Sequence, residues 1–301
     1  MRLNRDDQRM APRQASRVLV RHSSRRSELP TMAPSFRLKH YWNKVLDWLY
    51  PGSASVCVLC NRAIPAISEQ QGLRISAWAD VPESLGQLVC PFCLQEARGI
   101  QPRPIRRSMQ VQMSGNELRG SRRFVPVPVF SVFRYEGFVQ RAIRPWKYDG
   151  ALALTEWFSS ALVSAITVAN LAHAVDGIVP VPTAPERLRQ RGYHHTLLLA
   201  KSVAATCSLP VWQVLERGKQ TEHQSQTEQS GRETQTAKSA RERRASLVGA
   251  FHTVRGVDIC GTRILLLDDV VTTGATMEAC ASQLMAAGAA QVICIAIADV
   301  Q

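Results

Sequence analysis

No stretch of the 301-residue sequence approaches the roughly 18–20 consecutive apolar residues that a membrane-spanning helix needs. The N-terminus also lacks the apolar core of about 7–15 residues that marks a secretory signal. Aromatic residues make up only 6% of the chain, and 24 acidic residues stand against 37 Lys and Arg. The composition therefore predicts a basic, globular, cytoplasmic protein without a membrane span.

The positive charge is concentrated at the start of the chain, where residues 1–44 hold eleven Lys and Arg but only three Asp and Glu. Residues 1–36 show little periodic apolar content, so we expect a disordered basic tail. Two interpretations remain for it: a nucleic-acid-binding arm or a solvated extension without a function of its own.

Four of the eight cysteines stand in two Cys-x2-Cys pairs, CVLC and CPFC, separated by 29 residues. Two such pairs present four thiolates to one tetrahedral Zn²⁺, and a site closed by four cysteines has a structural function. The alternative is two unrelated structural pairs or redox Cys-x2-Cys motifs. We predict a small zinc-binding module over residues 37–98, with Cys57, Cys60, Cys90 and Cys93 as its ligands.

The remainder of the chain alternates between strand and helix patterns, which is typical of a parallel sheet covered on both faces. Residues 98–123 are polar and arginine-bearing and are interpreted as a connector, and residues 124–301 as the main α/β domain. Within this domain the patterns predict strands over 127–135, 178–182, 263–269 and 291–300, helices over 155–175, 196–207 and 276–288, and loops over 185–195 and 217–245.

Residues 264–276, ILLLDDVVTTGAT, carry the strongest chemical signal in the sequence. A buried strand leads to Asp268 and Asp269, and a small, hydroxyl-rich loop follows it into a helix. The N–H groups at a helix start bind phosphate, and Gly274 allows close backbone approach. Carboxylates accept hydrogen bonds from sugar hydroxyls and help to hold Mg²⁺. The pattern therefore predicts a ribose 5-phosphate site, and a plain helix N-cap at Thr273 or Thr276 is the alternative.

This stretch resembles the phosphoribosyl pyrophosphate (PRPP) motif of type I phosphoribosyltransferases at all thirteen positions. The resemblance implies that Asp268 and Asp269 contact the ribose, with Mg²⁺ accompanying PRPP. It also implies a type I phosphoribosyltransferase-like parallel-sheet core with a small N-terminal zinc-binding module of four cysteines. The loop residues that it assigns to the 5-phosphate are Thr272, Thr273, Gly274, Ala275 and Thr276.

The wider resemblance is to the ComF/GntX family, whose members carry an N-terminal zinc knuckle, and it spans roughly residues 55–301. It is carried by the cysteine pairs, FRYEGFVQRAIRPWKYDG, IVPVPTAPERLRQRGYHH and the PRPP motif. Members of this family typically show Arg-Gly-Phe-Asn-Gln where this chain has RGYHH at 191–195.

The resemblance also assigns the pyrophosphate to the loop after the strand at 178–182, which carries Arg187, Arg189 and Arg191. The planar guanidinium of arginine can donate two parallel hydrogen bonds to such an anion. Residues 217–245 resemble a flap that closes over PRPP with Arg241, Arg243 and Arg244, and a solvated basic loop is the alternative. His194 and His195 are open to three interpretations: catalytic bases, anion contacts or surface residues.

Two classes of function follow from these features. One is a Mg²⁺-dependent transferase that moves phosphoribosyl from PRPP to an acceptor. The other is a binding module without turnover, which senses PRPP or a nucleotide or assists DNA uptake in natural competence, with single-stranded DNA or an uptake protein as its partner. The aromatic and basic segment 133–147 would contact an acceptor base or nucleic acid, or else pack the cysteine module against the core.

Overall fold

The computed structural model describes residues 56–64, 83–86, 88–112, 124–218 and 249–300. The predicted basic tail and Arg241, Arg243 and Arg244 lie outside these ranges, as do the start of the predicted cysteine module and most of the predicted flap. None of the described helices is long and apolar enough to cross a membrane.

In the part of the chain that the structure describes, five strands form the main sheet in the order β1-β2-β7-β6-β3, and a separate pair, β4-β5, lies beside it. Strands β2, β7, β6 and β3 run parallel to one another, and β1 pairs with β2 in the antiparallel direction. The predicted α/β class with a mostly parallel sheet is thereby confirmed. The strands are β1 Ile105–Gln112, β2 Phe124–Arg134, β3 Gly177–Pro180, β4 Leu215–Arg217, β5 Phe251–Thr253, β6 Arg263–Val271 and β7 Gln291–Asp299.

Helices cover both faces of this sheet, as crossover connections between parallel strands require. They are α1 Glu83–Gly86, α2 Pro91–Gly99, α3 Gly137–Tyr148, α4 Leu154–Val168, α5 Pro185–Arg191, α6 His195–Cys207 and α7 Ala275–Ala286, with a short 3-10 helix at Leu171–His173.

Alternation along the central strands divides the core into two apolar clusters. Leu265 and Leu267 of β6 pack on the side of α4 and α6, whereas Ile264 and Leu266 pack on the side of α7. Successive side chains of a strand point to opposite faces, so each residue of β6 is assigned to one cluster by its position. The same alternation continues to the two aspartates near the end of the strand.

The cysteine segment packs directly on the first of these clusters. Cys57, Cys90 and Cys93 are buried together with Phe133 and Phe138. Arg141 of α3 also forms an ion pair with Glu96 of α2. The aromatic side chains at the start of segment 133–147 therefore join the cysteine segment to the sheet, which is the packing interpretation of that segment.

Two segments differ from the sequence prediction. The connector predicted over 98–123 contains strand β1. Burial alternates along this strand, but the apolar pattern of its sequence is interrupted because Arg107 occupies one of the positions that face the protein. The basic loop predicted over 185–195 begins with helix α5. Pro185 in its first turn and Gly192, with φ +80°, at its end are the residues that favour a short helix there.

Candidate functional site

The predicted anion loop connects the end of β6 to the start of α7. Strand β6 ends at Val271, and α7 begins at Ala275, one residue earlier than expected. Gly274 is the N-cap with φ +79°, a backbone conformation that favours glycine. Thr272 is exposed, and the hydroxyl of Thr273 accepts a hydrogen bond from the Ala275 N–H at 3.4 Å. The first N–H groups of α7 thus lie at the carboxyl edge of the sheet, where ligands of open α/β folds bind.

Strand β1 lies against this loop, a contact that the sequence did not reveal. A Cβ atom placed on Gly274 would lie 3.3 Å from Met109 Sδ and 3.8 Å from Arg107 Nη2. Arg107 also forms an ion pair with the buried Asp299 at the end of β7, with 3.2 Å between Nε and Oδ2. The loop therefore has a guanidinium beside it that comes from the first strand of the sheet.

Asp268 and Asp269 lie on opposite faces of β6. By alternation Asp268 lies on the same face of β6 as Leu266. On that face burial raises the pKa of the Cys280 thiol, and the charge of Asp268 raises it further. Asp269 is on the other face and contacts His195 of α6. The two carboxylates are both buried, and Asp268 Oδ1 accepts the Asp269 N–H at 2.8 Å. They are adjacent in sequence, but they approach the strand end from two sides.

Asp269 is surrounded by donors. Its Oδ2 lies 2.7 Å from Lys147 Nζ and 2.5 Å from His195 Nε2, and its Oδ1 accepts the Val270 N–H at 2.5 Å. Burial raises the pKa of Asp269, but the Lys147 ammonium and the His195 hydrogen bond outweigh it and hold that pKa well below its usual value. Asp269 is therefore the ionised member of the pair.

His195 is a neutral donor to Asp269 rather than a free base. Arg191 Nη1 lies 3.0 Å from His195 Nδ1, and a guanidinium can only donate, so Nδ1 must accept and Nε2 must carry the proton. Burial lowers the pKa of His195, in agreement with the neutral form. Both ring nitrogens are thus engaged within the protein, and the interpretation of His195 as a surface residue is wrong.

His194 has a structural function in the same turn. Its Nδ1 accepts the Leu197 N–H at 3.2 Å and thereby caps α6, so the proton of the neutral ring lies on Nε2. Burial lowers the pKa of His194 to about 4. A neutral histidine whose unprotonated nitrogen already accepts the capping N–H is not available as a general base.

The RGYHH turn also packs against the end of α3. The Tyr193 hydroxyl donates to the Trp146 carbonyl at 2.5 Å, and the Arg191 guanidinium lies over the Tyr148 ring at 4.4 Å. Trp146 itself is fully buried and donates to Thr155 Oγ1 at 2.9 Å. This interlock holds Lys147, the residue between Trp146 and Tyr148, beside Asp269, and it leaves Trp146 no exposed face on which to stack a base.

The three arginines predicted to meet a pyrophosphate are in different surroundings. Arg191 is buried against His195, and Arg189 is exposed with Glu186 at 3.7 Å. Arg187 is exposed and lies near Arg217. Burial of Arg217 lowers its pKa, and the positive charge of Arg187 lowers it further. Arg187 is thus the exposed arginine of the three that lies near Arg217, a cation that sequence reasoning missed.

Asp268 gives the site a distinct pH dependence. Burial and the neighbouring Asp269 charge raise the pKa of Asp268 to about 8, above the value of about 3.9 for an unfolded aspartate. Between these values the folded state binds the proton and the unfolded state does not, so the free energy of unfolding falls as pH rises. We expect the contribution of Asp268 to fall by up to about 1.4 kcal/mol per pH unit between roughly pH 5 and pH 8, whereas His194 and His195, whose pKa values burial lowers, contribute in the opposite direction below about pH 6.5.

This expectation is checked by denaturant unfolding at several pH values in that range. Asp268→Asn should remove this contribution, so that the free energy of unfolding of the variant changes with pH by a more positive slope than that of the unmodified protein, whereas Glu136→Gln, which alters an exposed carboxyl, should keep the slope of the unmodified protein. An equal slope in Asp268→Asn and in the unmodified protein would contradict the assignment.

The second cluster of chemical interest is formed by the four paired cysteines. All four sulfurs of Cys57, Cys60, Cys90 and Cys93 lie within 4.8 Å of one another, and those of Cys60 and Cys90 are 3.6 Å apart. Burial raises the pKa of Cys57, but hydrogen bonds from backbone N–H groups, that of Cys90 foremost, bring it to about 7. The set has the ligand type and geometry that could hold one metal ion.

Residues 197–301 match the sequence family of the phosphoribosyl transferase domain. A solved structure titled as that of the allosteric regulatory enzyme of purine biosynthesis is similar at 22% identity and a TM-score of 0.25, over 40% of this chain. This chain spans 22% of that enzyme's length. No curated protein sequence matches. The matched residues contain β6, the anion loop, α7 and β7, and this part of the chain is type I phosphoribosyltransferase-like.

Proposed function

We propose that the protein binds PRPP, or a related ribose 5-phosphate ligand, at the carboxyl edge of its sheet. The observation that carries this proposal is the anion loop itself. In a segment that matches the phosphoribosyl transferase domain, a glycine with φ +79° opens a twelve-residue helix directly after a strand that contains two acids.

The 5-phosphate would bind on residues 272–276. The N–H groups of the first turn of α7 and the threonine hydroxyls would be the donors, and the helix dipole favours the negative charge. Arg107 adds a positive charge on the side of β1, within reach of the loop. A phosphate held in this way has donors from both the loop and strand β1.

The ribose would lie over the end of β6, where Asp268 and Asp269 accept hydrogen bonds from its hydroxyls. The pyrophosphate would then extend toward Arg187, with Arg217 nearby. Arg241, Arg243 and Arg244 remain predictions for a closing flap, since they lie outside the described residues. Arg189 and Arg191 are less suited, because Arg189 is paired with Glu186 and Arg191 is buried against His195.

Transfer of phosphoribosyl to an acceptor is the enzymatic form of this proposal. Binding without turnover is the second candidate, and one observation favours it. Nδ1 of each histidine in the RGYHH turn already accepts a hydrogen bond within the protein, and Asp269 is paired with Lys147. Among the described residues, therefore, neither histidine offers a base for an acceptor. A function in competence, with single-stranded DNA or an uptake protein as partner, rests on the ComF/GntX resemblance alone.

We also propose that Cys57, Cys60, Cys90 and Cys93 hold one structural Zn²⁺. Four thiolates are a closed ligand set for this metal, and the backbone N–H donors to Cys57 favour the thiolate form of that residue. The metal would link the segment around residue 57 to the start of α2. Membership of the ComF/GntX family is part of the same proposal.

The PRPP site is tested by titration calorimetry with PRPP, with inorganic phosphate as competitor. Gly274→Val should weaken the binding of both ligands by roughly tenfold to a hundredfold, since charge-assisted hydrogen bonds to a phosphate contribute about 1.5–3 kcal/mol. The physical reason is that a branched side chain at φ +79° is strained and its Cβ would meet Met109 and Arg107.

Gly256→Val is the matched control, because Gly256 has the same φ of +79° and lies in a turn after β5, where an added Cβ would meet no atom within 4 Å. It should show comparable strain and unchanged affinity. Absence of any affinity of the unmodified protein for PRPP or for nucleoside 5-phosphates would overturn the proposal. Pyrophosphate release in a screen of nucleobases would then separate the enzyme from the binding module.

A further inference from the structure

Lys147 occupies the position beside the acidic pair at which a divalent cation would be expected. Its Nζ lies 2.7 Å from Asp269 Oδ2, and its side chain is only 17% exposed. The same oxygen accepts from His195, and the other carboxylate oxygen accepts from the Val270 N–H. Both oxygens of Asp269 therefore already have donors from the protein.

This arrangement does not fit Mg²⁺ bound to Asp269. Mg²⁺ needs oxygen ligands at about 2.0–2.1 Å in near-ideal octahedral geometry. An ammonium in contact with the same carboxylate oxygen would lie next to the ion and repel it. Asp268 lies on the opposite face of β6 and its Oδ1 accepts the Asp269 N–H, so the two carboxylates do not converge on one ion.

The position of Lys147 is fixed by the residues on either side of it. The Trp146 carbonyl accepts from the Tyr193 hydroxyl, and the Tyr148 ring lies under the Arg191 guanidinium. Arg191 also contacts His195, so the same turn places both donors on Asp269. The ammonium is thus held in place by two packed segments, unlike a surface lysine with a mobile side chain.

An ammonium in this position can contact a ligand as well as Asp269. It has three N–H donors, and the ion pair with Asp269 uses one of them. A ribose placed over the end of β6, with its pyrophosphate extending from it, presents hydroxyl and phosphate oxygens as acceptors. A compact point charge is a common phosphate-binding group in proteins.

We infer that Lys147 takes the place of the divalent cation at this acidic pair, so that PRPP binds through the lysine ammonium and does not require Mg²⁺. This inference rests on the proposed function, because it concerns the same ligand and the same strand end. It assigns to this chain a specificity residue that lies outside the segment matching the phosphoribosyl transferase domain.

The test is titration calorimetry with PRPP in EDTA and in excess Mg²⁺. The affinity of the unmodified protein should differ by less than about threefold between the two buffers. Lys147→Met should lose at least about tenfold in EDTA and regain part of that loss with Mg²⁺. Lys147→Arg, which retains the positive charge, should bind in EDTA more tightly than Lys147→Met.

Arg144→Met is the matched control, because Arg144 is an exposed cation on the same helix and its loss changes the net charge equally. It should bind like the unmodified protein in both buffers. If the unmodified protein binds PRPP only with Mg²⁺, the inference about Lys147 is wrong and the proposed function stands. If it binds in neither buffer, both are overturned.

Discussion

Cys57→Ser is expected to abolish zinc binding and to lower the stability of the whole described core. Structural zinc contributes about 10–16 kcal/mol in isolated zinc-finger peptides, so loss of one of four thiolates removes a large part of the energy that folds such a segment. Here the segment is not isolated, because Cys57, Cys90 and Cys93 are buried in one cluster with Phe138. We expect metal analysis to find one zinc per chain in the unmodified protein and much less in the variant, together with a lower melting temperature.

Cys260→Ser is the control for this experiment, because Cys260 is an exposed cysteine outside the cluster of four sulfurs. It should retain both the zinc and the melting temperature. A purified protein without zinc, or an unchanged zinc content in Cys57→Ser, would contradict the assignment of the metal.

Asp269→Asn is expected to destabilise the protein strongly, whereas Asp268→Asn is not. Asp269 is the carboxylate partner of Lys147, and both side chains are largely buried. Removal of one partner of a buried ion pair typically costs about 3–5 kcal/mol, because the other charge stays buried without compensation. For a protein of this size we expect a melting temperature lower by roughly 10 °C, with loss of PRPP binding.

Asp268→Asn is the matched comparison, since the two residues are adjacent and equally buried. Asp268 has no cation in direct contact among the ion pairs of the described residues, and it lies beside another carboxylate. Its replacement should keep or raise the melting temperature and should weaken only ligand binding. Equal melting temperatures for the two variants would show that the Lys147–Asp269 pair does not stabilise the fold.

The sequence predicted the local part of the site well. The strand, the loop and the helix start are consecutive in the sequence. The apolar run therefore indicates β6, and the small residues with Gly274 indicate the loop at 272–276 and the start of α7, without knowledge of the remainder of the chain. The sequence also predicted the close approach of the four cysteines, because paired spacing is itself a geometric signal. What the loop and the cysteines bind remains a prediction.

The surroundings of the aspartates could not be predicted in this way. Lys147, His195 and Arg107 come from three other segments, and only the fold brings them to the end of β6. The strict alternation of a strand also separates Asp268 from Asp269, although their adjacency in sequence suggested a joint function on one sugar. An inward arginine at position 107 hid β1, because it interrupts the apolar pattern by which a strand is identified.

The strand order has a practical consequence for anyone who wishes to express part of this chain. Residues 197–301 contain β6 and β7 but not their outer neighbours β3 and β2. A fragment cut at the domain match would therefore carry two long apolar strands with both outer edges unpaired, and such edges promote aggregation. It would also lack Met109 and Arg107, which lie against the anion loop. A truncated protein intended for crystallisation or ligand screening should begin before β1 rather than at the start of the matched residues.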